Sequence, residues 1–316
     1  MSGPVQQADQ HCENEPLPGL EIREGRRTEV GGLPVSRVLP TKGRRDVGPW
    51  CFVDEMGPAD AEEPDPMEVG PHPHIGLATV TWLLEGEALH SDSLGTEQMI
   101  RPGQLNLMYA GHGIAHAELA AKPPFRGVQM WLAQPEDTRH GASSFEHHAE
   151  LPHVEIAGDG GPGGAGRGQA LVFAGRFAGA ASPARADSPL IGAELTVSRG
   201  RTPLPLEAGF EHTVIPLDGK VLIGGEVVEP GSLALLPEGP EELVVEAATD
   251  ATRFLLLGGE PLGVRLEMFW NFVARDREEI AEAWRAWQGH DTDRFPSVPS
   301  TLARIDAPRP PWMTRD

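Results

Sequence analysis

This sequence predicts an all-β chain of two similar barrels with one helix near its C-terminal end. Three observations carry that reading. Short apolar and β-branched runs alternate with turns through most of the chain, and 38 glycines and 31 prolines among 316 residues supply the turns. A pattern of strand, acidic-Gly turn, strand, Pro-Gly turn and strand occurs twice. Glu85-Gly86 and Pro102-Gly103-Gln104-Leu105-Asn106-Leu107 form one copy, Asp218-Gly219 and Pro230-Gly231-Ser232-Leu233-Ala234-Leu235 the other. Late in the chain the apolar period changes, and Ile280, Trp284 and Trp287 recur as one helical face.

The length suits two domains, each large enough for its own core. The expected division is a polar tail over 1–18, an N-terminal barrel over 19–155, a C-terminal barrel over 156–295 that ends in the helix, and a Pro-rich tail over 296–316.

In chain order, Leu20 to Glu29 reads as a short edge strand exposing Arg23, Arg26 and Arg27. Val35 to Leu39 alternates as a strand does, and Gly48 to Glu55 is a second strand with an acidic end. Asp54 to Glu68 is a Pro-rich acidic loop without a basic residue, expected to face water and to draw cations toward its rim. Ala78 to Leu84 and Leu105 to Tyr109 are apolar strands, and Leu84 to His90 reads as strand, turn, strand. Gly127 to Leu132 is a further strand. His140, His147, His148 and His153 follow in a polar stretch read as loop, with spacing too irregular for a metal site. Gly158 to Gly168 is Gly-rich but lacks the Gly-Lys-Ser/Thr ending of a phosphate loop. Ala170 to Phe173, Leu190 to Val197 and Met268 to Val273 are strands. For the helix, Asp276 supplies an N-cap, Glu279 an acidic N3 residue and Gly289 the stop.

The chemistry is concentrated between Gly70 and Glu118. His72-Pro73-His74 and His116-Ala117-Glu118 each place two donors at i and i+2, which share a face of a strand. On neighbouring strands, the two pairs would set three imidazoles and one carboxylate around one point, a set suited to iron, manganese, nickel, copper or zinc. His90 reads as a solvated or hydrogen-bonded side chain. His112, four residues before His116, is expected to line the pocket or contact a supporting group. The second copy lacks the donors: His212 has no histidine at i±2, and an ungapped offset sets Val244 against His116. The C-terminal barrel is therefore expected to bind no metal.

A net charge of -21 repels phosphate backbones and argues against direct nucleic-acid binding. Cys12 and Cys51 lie in no zinc-like spacing, and free thiols are the expectation. No basic-then-apolar leader opens the sequence, and no apolar run approaches the ~20 residues that span a bilayer. The expectation is a cytoplasmic protein with no membrane association.

His72-Pro73-His74, Gly76, Thr79-Val80-Thr81, Leu83-Leu84-Glu85-Gly86, Arg101-Pro102-Gly103, Ala110-Gly111 and His116-Ala117-Glu118 together resemble the signature of the pirin family, from about Gly19 to Phe295. Pirins are bicupins, two double-stranded β-helix barrels in one chain. The resemblance implies one metal, usually iron, in the N-terminal barrel, held by His72, His74, His116 and Glu118. It also implies a flavonol ring-opening (quercetinase) activity using O₂ and releasing carbon monoxide, or else a metal- or redox-dependent role with a transcription factor or metabolic enzyme as protein partner. In the first case Glu118 is the expected general base, and Leu77, Leu107 and Met108 the apolar walls for a small aromatic substrate. The chain departs from the family at Ile75, Leu77, Ala78 and His112, and Phe145 stands where pirins often have Tyr.

Overall fold

The computed structural model describes residues 16–59, 67–120, 124–158 and 166–313. Cys12, residues 1–15 of the polar tail, Asp60, Glu62, Glu63 and Asp65 of the acidic loop, and 159–165 of the Gly-rich loop lie outside the described residues.

Each half is a pair of facing antiparallel sheets. In the first half a seven-stranded sheet runs in the spatial order Ser144–His148, Leu105–Tyr109, Leu77–Glu85, Phe125–Ala133, Trp50–Ala59, Leu33–Leu39, Arg26–Val30. Opposite it lie four strands, Glu68–His74, Ile114–Ala120, Ala88–Asp92 and Glu97–Ile100. The second half repeats the plan, an eight-stranded sheet facing Gly200–Pro205, Glu242–Ala247, Val221–Ile223 and Glu226–Val228.

The two large sheets pack against each other. Val80, Trp82, Leu107 and Met130 from the first meet Phe173, Ile215, Leu233 and Leu255 from the second in one buried cluster. The Trp50 indole N–H, fully buried, donates to the Ile191 and Gly258 carbonyls at 3.1 Å. Arg126 bridges Glu55 and Asp218 across the seam. The interior of the second barrel is filled by its own aliphatic cluster, which includes Val172, Leu195, Leu204, Val214 and Val245.

Local structure departs from the sequence reading at four places. The strand expected over Leu20 to Glu29 divides at Gly25. Glu21–Glu24 pairs with Ser232–Leu235 of the second barrel, and Arg26–Val30 pairs with Leu33–Leu39 of the first. A side chain at Gly25 would place its Cβ 2.7 Å from the Gly231 carbonyl oxygen, so the crossing requires glycine. Asp54 and Glu55, read as the start of a solvated loop, lie on the strand Trp50–Ala59 and are buried, paired with Arg37 and Arg126. The stretch read as loop before Pro152 contains the strand Ser144–His148. Met268 to Val273 is a hairpin, Glu267–Phe269 and Phe272–Ala274, with Trp270 at φ 53 in the turn. A non-glycine residue with positive φ is strained; edge contact of Trp270 with Phe272, at 5.6 Å between rings, helps hold it.

The helix spans Arg277–Gln288, with Asp276 accepting from the Glu278 and Glu279 amides and Gly289 at its end. Its apolar face does not enter the second barrel. Ile280, Ala283 and Trp287 pack with Ile75, Ala115 and Phe272, beside the first barrel's His-x-His strand. The irregular segment after the helix crosses the same face. The Trp284 and Trp287 indoles donate to the Ala307 and Ile305 carbonyls, and the Ile305 amide donates to the Pro71 carbonyl at 2.9 Å. No helix among the described residues is long and apolar enough to cross a membrane.

Candidate metal centre

The strand Glu68–His74 lies at the edge of its sheet and, among the described strands, pairs with Ile114–Ala120. Pro71 and Pro73 lack an N–H, and an edge is where a sheet tolerates them. His72 stands opposite His116 and His74 opposite Ile114. Between His116 and Glu118 the register slips, so that Glu118 faces Val69. Such a bulge re-aims side chains locally. Gly70 sits in it, and a Cβ there would lie 1.9 Å from the Ala303 carbonyl oxygen of the crossing C-terminal segment.

The structure brings His72, His74 and His116 together: one ring nitrogen of each lies within 4.8 Å of the others, and all three side chains are buried. Glu118, expected in the same set, falls in a second group with His116 and His90 under the same criterion. Its carboxylate sits 3.3 Å from the Thr81 hydroxyl, which also lies 3.1 Å from Gln129 Oε1.

Hydrogen bonds assign the ring protons of His72 and His74. His72 Nδ1 lies 2.9 Å from the Gly70 carbonyl and His74 Nδ1 3.0 Å from the Asn271 carbonyl. A carbonyl only accepts, so each Nδ1 bears the hydrogen and each Nε2 presents a lone pair. His74 Nε2 and His116 Nε2 are 3.1 Å apart. For comparison, two ligands at ~2.1 Å from a common ion and at right angles are ~3.0 Å apart. The spacing and the donor set fit a divalent transition metal.

Charge in the site follows from burial. Desolvation pushes His72 down to about 4. Desolvation also drives His74 and His116 well below the ordinary imidazole range, and mutual repulsion with His72 adds to it. Burial pushes the Glu118 carboxyl up. Neutral imidazoles are what a cation requires of its ligands, and a bound cation would favour the ionised form of Glu118 that burial alone disfavours.

The three imidazoles and Glu118 open into a cavity of about 290 Å³. Phe52 and Trp131, stacked 4.0 Å apart at 13°, form one wall, and Met56, Met67 and Val69 add apolar surface. Arg37 contributes a polar patch, its guanidinium 4.5 Å over Phe52 and paired with Asp54 at 2.6 and 2.7 Å. Trp270, Asn271 and Ile305, from the hairpin and the C-terminal segment, complete the lining.

The expected apolar walls lie elsewhere. Leu107 points between the barrels, because the two-residue period of its strand sends Leu105, Leu107 and Tyr109 to that side. Met108 is packed with Ala110, Ile114 and Phe145. Leu77 is fully buried in a cluster with Phe52 and Trp131 and does not line the cavity. His112 is exposed and lines a separate small cavity with Arg139, Glu279 and Arg294. His90 is buried and hydrogen-bonded, at 3.1 Å from Asp92 and 3.3 Å from His116. Sequence reasoning missed Phe52, Asp54, Gln129 and Trp131 as cavity residues. The signal was there: Phe52 and Asp54, like Gln129 and Trp131, are i, i+2 pairs on the adjacent central strands.

The pirin family model matches residues 32–132, and the model of the pirin C-terminal cupin domain matches 193–293. A Pseudomonas aeruginosa protein provisionally named quercetin 2,3-dioxygenase is 43% identical over 298 residues, covering 93% of this chain and 91% of that protein. A pirin-like protein of Caulobacter vibrioides is 37% identical over 278 residues, covering 84% of this chain and 92% of its own length. The crystal structure of quercetin 2,3-dioxygenase from Acinetobacter baumannii superposes with a TM-score of 0.85 at 37% identity, covering 94% of this chain and 97% of that one.

Proposed function

Because the chain belongs to the pirin family, we propose that its N-terminal barrel is the active site of a metal-dependent dioxygenase that opens the central ring of a flavonol. The observation that carries the proposal is the approach of His74 Nε2 and His116 Nε2 to 3.1 Å at the end of an apolar cavity with an aromatic wall. His74 Nε2 presents a lone pair there, and at that distance a bound cation or one shared hydrogen satisfies the two nitrogens.

His72, His74 and His116 hold the metal, and Glu118 is the carboxylate of the set. Iron is the first choice because pirins usually hold it; manganese, nickel, copper and zinc accept the same donors. When bound, the metal supplies Lewis acidity that makes the flavonol 3-hydroxyl more acidic. The chain does the rest. Glu118, once turned off the metal toward the cavity, takes the 3-hydroxyl proton, with burial favouring its protonated form and Thr81 beside it. Phe52 and Trp131 hold the flat rings by stacking. The apolar walls keep water from the carbanion-like centre that meets O₂. Both oxygen atoms enter the product, and one ring carbon leaves as carbon monoxide.

Enzyme action is favoured over a metal-gated protein partner because the imidazoles are buried and face a small-molecule cavity rather than an exposed patch. The test is elemental analysis of protein purified without added metal, then oxygen-consumption and absorbance assays with a panel of flavonols. About one divalent metal per chain and O₂-dependent flavonol loss with carbon monoxide release are expected. Metal-loaded protein that leaves every flavonol intact overturns the proposal.

A further inference from the structure

We propose that Asp92 and His90 are positioning residues that set the tautomer of His116. The inference rests on the metal-site reading above, and it concerns the one imidazole of the three whose ring nitrogens have no backbone acceptor among the described residues. His72 and His74 each give their Nδ1 hydrogen to a carbonyl. The partner of His116 Nδ1 is instead a third ring, His90 Nδ1, at 3.3 Å.

Two nitrogens facing each other share one hydrogen, and the far side of His90 decides which holds it. His90 Nε2 lies 3.1 Å from Asp92 Oδ2. A carboxylate accepts, so Nε2 carries the hydrogen and His90 Nδ1 is left as a lone pair. That lone pair accepts from His116 Nδ1, which leaves His116 Nε2 free to bind the metal. The carboxylate cannot turn away, because Asp92 Oδ1 accepts from the Leu94 and Thr96 amides at 2.9 and 3.0 Å. The His90 ring is clamped as well, stacked on Phe145 at 4.6 Å and 22°. Asp92, His90 and His116 are all buried, so no water is needed to complete the chain.

The isosteric change Asp92→Asn tests this sharply. The Leu94 and Thr96 amides require an acceptor, so the new side chain keeps its oxygen toward them and turns its NH₂ toward His90. A donor there reverses His90: its Nδ1 now carries the hydrogen, and His116 must accept it and protonate at Nε2. One hydrogen-bond donor thus switches off a ligand two rings away while the shape is kept.

Histidine ring ¹⁵N shifts of the metal-free protein report the tautomers directly. Wild type is expected to show Nδ1–H on His72, His74 and His116 and Nε2–H on His90. Asp92→Asn should reverse His90 and His116 and leave His72 and His74 unchanged, with an unaltered far-ultraviolet dichroism spectrum. Cobalt(II) affinity, measured by chelator competition, should fall ~10–100-fold in the variant. His90→Phe, which keeps the stacking on Phe145 but removes the acceptor, should leave His116 in mixed tautomers and give a smaller loss. The inference is overturned if His116 is Nε2–H in wild type, or if Asp92→Asn leaves its tautomer and the cobalt affinity unchanged. Expected tautomers in a wild type that binds no cobalt would support the relay and remove only the proposed function.

Discussion

The two barrels share a plan and differ in what they point inward. In the first, the strand pair Glu68–His74 and Ile114–Ala120 sets His116 against His72 beside an open cavity. In the second, the corresponding pair Gly200–Pro205 and Glu242–Ala247 sets Leu204 against Leu243 and Thr202 against Val245, all buried. The ungapped repeat placed Val244 at the position of His116, but Val244 is half-buried and opposite Pro203 on the other face. A shift of one residue turns a strand over, and the inward positions, Thr202, Leu204, Leu243 and Val245, carry no imidazole or carboxylate. The first barrel's interior opens to a cavity lined by metal donors, while the second spends its interior on packing and its large sheet on holding its neighbour.

The largest expected effect that would break this contrast is loss of a ligand. His74→Ala should lower cobalt(II) affinity ~1000-fold or more, beyond what loss of a supporting partner costs, and abolish flavonol turnover. Retained stoichiometric metal in that variant would place the metal elsewhere. In the second barrel the same kind of truncation acts on stability instead. Leu204→Ala should cost ~2–4 kcal/mol in urea unfolding, because the side chain is fully buried among aliphatic neighbours. Met67→Ala, on the wall of a cavity that already exists, should cost less, since one side of the side chain has fewer partners to lose.

The third effect concerns pH. His212 is buried in the second barrel with its Nε2 unpartnered, and desolvation pushes it down to about 4. An unfolded histidine titrates near ~6.5. Between those values the unfolded chain binds the extra proton, so stability is lost as pH falls from ~6.5 to about 4 and is level above it. His212→Leu should flatten that limb by ~1–3 kcal/mol in metal-free protein. His72, pushed down to about 4 in the other barrel, keeps its own share of the slope. An unchanged acid limb would show that His212 stays solvated. The smallest effect belongs to the cavity mouth. Ile305→Ala should raise KM for a flavonol ~3-fold with kcat unchanged, and a fall in kcat would mean that the C-terminal segment does more than cover the site.

Much of this was legible in the residues. Of the expected set, His72, His74 and His116 converge while Glu118 groups with His116 and His90, and the paired Gly86/Gly219 and Gly103/Gly231 turns all have positive φ. The helix begins at Asp276 and stops at Gly289 as its caps dictate. Other features were misread for a physical reason. Leu107 and Met108 are apolar, and apolarity does not distinguish a cavity wall from a seam between barrels. Asp54 looked solvated because its partner, Arg37, comes from a different strand. His90 looked idle because its neighbour in space, His116, is 26 residues away.

The sequence by itself determined the strand and turn order, the duplication, and the donors available for a metal, since these depend on local spacing and residue chemistry. Tertiary structure alone decided which groups complete the site. The Asn271 carbonyl that orients His74, the Ile305 side chain at the mouth, and the Asp92–His90 chain behind His116 are contacts between segments distant in sequence or between strands. Their positions depend on how the helix and the C-terminal segment dock on the first barrel, where burial of apolar surface by many residues together sets the geometry and no short motif records it.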